Sequence, residues 1–298
     1  LIRVRTYSPY LNQWLTDAYN QYDLPWFREE KTSRTADFDN DGKSQLVLFN
    51  TTTRSWTVQN QTLAIPVWGQ AGDVPVSADY DGDGRTERAV YRPSNGYWSI
   101  LGLPQFSKTW GGDASDIPVP ADYDGDGKIN IAVYRASNGN WNIDNAPDVE
   151  PFGQAGDIPV PADYDGDGKV NVAVFRPSTR IWHLDGIEPD VWWGQAGDIP
   201  VPGDYNGDGI VDIAVWRPST GKWLIQGMAD ITLNYFNSGD IPAPGDYFGL
   251  GKTQPAVYRP SNKTLYRYNN GTVTSIVLGV NGDKVVNFPY HIRKFFFP

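Results

Sequence analysis

The sequence predicts an all-β fold, a single seven-bladed β-propeller with four-stranded blades over residues 1–298. Three observations predict it. An Asp-rich loop of the form Ala-Asp-Tyr-Asp-Gly-Asp-Gly recurs with its first Asp at 37, 79, 122, 163, 204 and 246, a period of 41 to 43 residues. One aromatic series (Trp14, Trp56, Trp98, Trp141, Trp182, Trp223, then Leu265) runs in phase with it. So does a second (Trp26, Trp68, Trp110, Phe152, Trp193, Phe236, then Leu278), and each series has seven members. A period of about 40–45 residues with strand-like content is that of a propeller blade.

One unit reads as four strands in order. Ile117–Tyr123 is the first and runs into the Asp loop, and Asn130–Arg135 is the alternating, β-branched second. A Ser-Asn-Gly turn at 137–139 leads to a third strand around Trp141, and a fourth lies near Val149–Phe152. Paired prolines two apart (Pro118/Pro120, Pro159/Pro161, Pro200/Pro202, Pro242/Pro244) mark the first strand. Residues i and i+2 turn their N–H groups to the same side, so a doubled Pro requires an edge with no partner strand. The innermost strand of a blade is such an edge. The chain begins at a second strand (Leu1–Tyr7) and ends in a first strand (Val285–Tyr290). Blade one is therefore expected to be shared between 1–31 and 283–298, with the ring closed by pairing the two ends. The other blades are expected to start near 32, 74, 117, 158, 199 and 241.

Composition narrows the class. The chain carries 12 Trp, 17 Tyr, 31 Gly and 23 Pro but no Cys, and a formal charge of −10. Aromatic bulk with frequent turn-makers suits many short strands. An acidic surface argues against nucleic acid, which needs a basic face. No apolar run is long enough for a membrane-spanning helix. The first residue is Leu, as expected of a processed, secreted chain.

The Asp loops have the chemistry of a hard-cation cage. In Asp79-Tyr-Asp81-Gly-Asp83-Gly84-Arg85-Thr-Glu87, carboxylates at positions 1, 3 and 5 converge, and Gly at 6 permits the turn. The Arg85 carbonyl at position 7 and the Glu87 side chain at 9 complete an oxygen set suited to Ca²⁺. The other sets are Asp37, Asp39, Asp41, Lys43 and Gln45; Asp122, Asp124, Asp126, Lys128 and Asn130; Asp163, Asp165, Asp167, Lys169 and Asn171; and Asp204, Asn206, Asp208, Ile210 and Asp212. About five calcium sites are expected. The loop at Asp246 has Phe248 and Leu250 in ligand positions and is expected to hold none. An EF-hand would need Glu at position 12, where this chain has Val90, Val133, Val174 and Val215. The five loops hold 16 of the 35 acidic residues, so five divalent ions would bring the formal charge from −10 to zero. Calcium is expected to act as a structural clip.

The phrase GDIPVPADYDGDGKINIAVYRPSNGxW, assembled from these copies, resembles the FG-GAP/VCBS repeat of integrin-α-type propellers over nearly the whole chain. The resemblance implies a calcium loop between the first and second strands of each blade and an extracellular setting. It also implies a role in adhesion, in glycan recognition or as an accessory part of polysaccharide-acting enzymes.

No catalytic group is evident. The two histidines, His183 and His291, lie outside any motif, and the carboxylates are mostly committed to the loops, so the chain is expected not to be an enzyme. The leading expectation is a recognition or adhesion module for glycans or a cell-surface protein. The alternatives are a subunit of a self-assembling surface polymer and an accessory domain of a polysaccharide-acting enzyme. The recurring aromatics either pack between blades or stack on sugars. Aromatics that break the repeat (Tyr97, Trp192, Tyr266, Tyr268) are the candidate ligand contacts, and Trp192 and Trp193, adjacent on a strand, face opposite ways. Arg92, Arg135, Arg176, Arg217 and Arg259 either clasp acidic sugars or pair with loop carboxylates. The Phe-rich tail, His291–Pro298, either plugs the first blade or docks on a second subunit. Asn50, Asn60, Asn262 and Asn270 begin glycosylation sequons.

Overall fold

The structure is a computed structural model, and it describes residues 6–8, 13–15, 36–61, 67–146, 151–232, 239–287 and 292. The chain divides into two compact units, Leu1–Lys31 and Thr32–Pro298. In the first, Thr6–Ser8 pairs antiparallel with Gln13–Leu15, placing Tyr7 opposite Trp14.

The second unit is a β-propeller of six blades, not seven. Blade I comprises Asp283–Val285, Val47–Asn50 and Trp56–Val58. Blade II comprises Val74–Pro75, Ala89–Arg92, Tyr97–Ile100 and Lys108–Thr109. Blade III comprises Asp116–Pro118, Ala132–Arg135 and Asn140–Ile143. Blade IV comprises Ile158–Pro159, Ala173–Arg176, Ile181–Leu184 and Ile187–Trp192. Blade V comprises Ile199–Pro200, Ala214–Arg217, Lys222–Ile225 and Ile231–Thr232. Blade VI comprises Ile241–Pro242, Ala256–Arg259, Thr264–Asn269 and Thr272–Val277. Each is an antiparallel meander with its first strand at one edge.

The prolines explain that edge. The Val160 amide donates inward to Ala173, while Pro159 and Pro161 on either side present no N–H to the open side. Second strands are buried along their length because both faces meet a neighbouring blade; Ala173, Val174 and Phe175 are at most 1% exposed. Cross-strand aromatic pairs fill the blade cores: Phe49–Trp56, Tyr91–Trp98, Tyr134–Trp141 and Phe175–Trp182, with ring centroids 4.8 to 5.2 Å apart.

The blade count has a physical reason. Five Asp loops are preceded by a first-strand phrase: Asp73-Val-Pro-Val, Asp116-Ile-Pro-Val, Asp157-Ile-Pro-Val, Asp198-Ile-Pro-Val and Asp240-Ile-Pro-Ala. Residues 32–36, ahead of Asp37, lack it. The missing copy is Asp283-Lys-Val-Val at the other end of the chain, which pairs with Val47–Asn50 rather than with Leu1–Tyr7 as expected. Val285 faces Leu48, and the Val286 amide donates to Val47. The ring therefore closes without residues 1–31. Trp14 belongs to a hairpin in the other unit, and Trp26 lies outside the described residues.

Closure is visible in one repeated bond. The position-8 amide of each Asp loop donates to the position-1 carbonyl of the preceding blade: Thr86 to Asp37, Ile129 to Asp79, Val170 to Asp122, Val211 to Asp163, Thr253 to Asp204, and Ser44 to Asp246. The last of these returns to blade I. Among the described residues no helix is long and apolar enough to cross a membrane.

Candidate functional site

Two features of the ring are candidates: the circle of Asp loops and one aromatic depression on blade IV.

Each Asp loop is folded by its own carboxylates. Asp79 at position 1 accepts from the Gly82 amide at 2.7 Å and the Gly84 amide at 3.0 Å. Asp81 accepts from Asp83, and Asp83 from Arg85. The position-9 side chain accepts from the position-2 amide: Glu87 from Tyr80, Asn130 from Tyr123, Asn171 from Tyr164 and Asp212 from Tyr205. The position-2 hydroxyl anchors the loop to its first strand, as Tyr164 does on the Val160 carbonyl at 2.7 Å. Gly82 lies at φ +78°, and a Cβ there would press on Lys128 and Gly127 of the next loop, so successive loops touch around the ring.

Four loops draw carboxylate oxygens to within 4.8 Å of one another: Asp79/Asp81/Asp83/Glu87, Asp37/Asp39/Asp41, Asp122/Asp124/Asp126 and Asp163/Asp165/Asp167. In the Asp204 loop, Asn206 donates to Asp208 and Asp212 instead. Crowded like charge marks these loops. Burial pushes the Glu87 carboxyl up to about 7 against the lowering pull of the Tyr80 amide, and the charges of Asp81, Asp79 and Asp83 push the same way. Asp122 and Asp163 are raised by burial as well. All the donors are hard oxygens, a set that fits a cation of the Ca²⁺ class.

The recurring arginines do not pair with these loop carboxylates. Each makes a two-pronged ion pair with an Asp 19 residues upstream, at the start of its own first strand: Arg92–Asp73, Arg135–Asp116, Arg176–Asp157, Arg217–Asp198 and Arg259–Asp240. The same carboxylate caps the return turn, as Asp157 does for the Gln154 amide. In blade I the pair is Asn50–Asp283. These guanidinium groups fix the return turn to the second strand.

Among the described residues of the ring, the aromatic series pack within and between blades. Trp98, Trp141, Trp182 and Trp223 are at most 1% exposed. In the second series, Trp68, Trp110 and Trp193 donate from Nε1 to the third strand of the following blade, at Ser99, Asn142 and Leu224. Of the candidate ligand contacts, Tyr97 and Tyr266 lie under Arg92 and Arg259, and Tyr268 packs on the core. These three are engaged within the fold.

Trp192 differs. It is 75% exposed at the end of an outer strand, while Trp193 turns into the core. With Arg180, Trp193 and Gly194 it lines an open depression of about 270 Å³. Arg180 stands at φ +63° in the turn between the second and third strands, where blades II, III and V have Gly96, Gly139 and Gly221. Trp193 donates its amide to the Arg180 carbonyl at 3.1 Å, which holds turn and outer strand together. At the slot of Trp192, the other described blades carry Val67, Thr109, Pro151 and Val277. The expectation from sequence missed Arg180; its signal was Ser-Thr-Arg where blades II, III and V read Ser-Asn-Gly or Ser-Thr-Gly, although blades I and VI also carry a basic residue there, Arg54 and Lys263.

Asn60 and Asn270 are exposed at positive φ, and exposed Asn262 donates to the Tyr266 hydroxyl. Asn50 is buried, its Nδ2 held by Asn281 and Asp283, so the structure removes it as a glycan acceptor. Of the Phe-rich tail only Ile292 is described, and it is buried against the core; the rest lies outside the described residues.

No family model and no curated protein matches the sequence. Solved structures do match. A lectin from Agrocybe aegerita that specifically recognises non-reducing terminal N-acetylglucosamine is 16% identical, with a TM-score of 0.52 over 80% of this chain and 77% of that one. BBS1N in complex with ARL6DN matches in a mercury-soaked crystal (12% identity, TM-score 0.40, 70% of this chain and 66% of that one). It also matches in a lead-soaked crystal (12% identity, TM-score 0.45, 83% and 84%). At 16% identity the likeness to the lectin is one of fold.

Proposed function

We propose that this chain is a non-enzymatic, extracellular glycan-recognition module: a propeller clipped by calcium in its Asp loops and binding sugar at the rim of blade IV. The observation that carries the reading is Trp192, a large aromatic face three-quarters in water that lines an open depression with Arg180. An indole face gives a pyranose ring a flat apolar surface, and the guanidinium offers hydrogen-bond donors to its hydroxyls or to an acidic substituent. Among the described residues the aromatics of the repeat are engaged inside the blades, which leaves Trp192 as the exposed one. The fold shared with the Agrocybe lectin supports the class and makes terminal N-acetylglucosamine the first sugar to try.

Calcium is the proposed clip. Asp79, Asp81, Asp83 and Glu87, with the Arg85 carbonyl, would hold one ion; the loops at Asp122 and Asp163, with Asn130 and Asn171, and the loop at Asp204, with Asp208 and Asp212, would hold others. A bound ion supplies the counter-charge these carboxylates lack. The reading is tested by calorimetric titration of an N-acetylglucosamine oligosaccharide into the wild type and Trp192→Ala. Saturable binding weakened at least tenfold in the variant supports it. Binding unaffected by the substitution would move the site elsewhere on the ring.

A further inference from the structure

Two Asp loops carry their own occupant. Position 9 is Gln in the loops starting at Asp37 and Asp246, against Glu87, Asn130, Asn171 and Asp212 in the others. In the first, Gln45 Oε1 accepts from the Phe38 amide at 2.6 Å. That bond fixes the amide's orientation, because the reversed group would set an NH₂ against an N–H. Gln45 Nε2 then lies 2.8 Å from Asp39 Oδ1, 2.8 Å from the Lys43 carbonyl and 3.5 Å from Asp41 Oδ1. These are the oxygens of positions 3, 7 and 5, the ones a cation in this loop would require. In the second loop, which has Phe248 and Leu250 at positions 3 and 5, Gln254 Nε2 donates to Asp246 Oδ1 at 3.2 Å and to the Lys252 carbonyl at 2.5 Å, while its Oε1 is buried without a partner. The shorter Asn130 and Asn171 reach the position-3 carboxylate at 3.4 Å, and Asn130 Nδ2 also donates to the Asp144 carbonyl at 3.3 Å, outside the cage.

We propose that the glutamine amides of Gln45 and Gln254 replace the cation in these two loops, so that the ring binds calcium in only part of its blades. An ion at Asp37, Asp39 and Asp41, whose carboxylates the structure does draw together, would have to displace the Gln45 amide. The two loops are neighbours across the closing contact, where Ser44 donates to the Asp246 carbonyl. The seam where the ring closes is thus held without metal, while calcium clips the remaining blades.

The inference rests on the reading that the remaining loops take calcium, and one experiment separates the two. Calcium alone is titrated into chelator-stripped wild type, Gln45→Glu and Asp39→Asn, and the bound ions per chain are counted. Gln45→Glu exchanges the donating NH₂ for a carboxylate oxygen and is expected to bind one ion more than the wild type. Asp39→Asn is expected to bind the same number as the wild type. An unchanged count in Gln45→Glu, or one ion fewer in Asp39→Asn, overturns the inference. A wild-type count of zero counts against the calcium reading itself, and the difference between Gln45→Glu and wild type still decides the role of Gln45.

Discussion

The amide of Ser44 donates to the carbonyl of Asp246 at 2.8 Å across 202 positions of sequence. Five equivalent bonds join the other neighbouring blades, so this contact makes the ring continuous. The C-terminal segment completes the same seam. Asn287, 4% exposed, accepts from the Val47 amide and donates to the Gln45 carbonyl, each at 2.7 Å. Asn287→Ala orphans both buried backbone groups, at about 1–3 kcal/mol each. A lower urea midpoint with an unchanged slope is expected, since the loss is of stability and not of cooperativity.

The Asp–Arg pairs are the second test. Asp157 is 1% exposed, and Arg176 is its bidentate partner at 2.8 Å. Removing one partner leaves a buried charge and an uncapped return turn. Arg176→Ala is expected to destabilise by about 3–5 kcal/mol. Thermal and urea unfolding check this, and a cost near that of a surface substitution would show the pair to be solvent-screened.

Calcium removal should act on stability rather than on chemistry. An ion that binds the folded ring alone stabilises by about 2.7 kcal/mol per site at a hundredfold excess over its Kd. The melting temperature is expected to fall in chelator and to recover with added calcium. Glu87→Gln is expected to reduce the calcium-dependent part of the shift, because it removes one carboxylate from the four-carboxylate cage at Asp79.

Trp192→Ala and Arg180→Ala are expected to leave the unfolding free energy within about 1 kcal/mol of wild type, because both side chains are exposed and the substitutions open no cavity. Trp182→Ala, at a fully buried position, is expected to cost about 3–5 kcal/mol. Paired melting curves distinguish a binding residue from a packing residue in adjacent strands.

Much of this was legible in the sequence, and the failures have definite causes. The paired prolines correctly located the first strand at an edge, because a missing N–H is a local property. The Asp loops were legible for the same reason. Blade number was not: Trp14 and Trp26 extend the aromatic series into a separate unit, so the C-terminal first strand was paired with Leu1–Tyr7 instead of with Val47–Asn50, whose loop lacks that strand at 32–36. The partners of the arginines were misread because the Asp 19 residues upstream lies beside them in space, nearer than the loop carboxylates. Gln45 read as a ligand by position, but which end of its amide faces the cage depends on the Phe38 N–H. Arg180 escaped notice as a simple loss of glycine, and its meaning required Trp192 beside it.

The most direct measurement is a glycan array probed with the wild type and Trp192→Ala, each in calcium and in excess chelator. The account predicts saturable binding of the wild type to one class of sugar, lost in Trp192→Ala and reduced in chelator. A blank array from a folded, calcium-stabilised wild type would contradict it, and would leave a rigid ring whose exposed indole serves a protein surface instead.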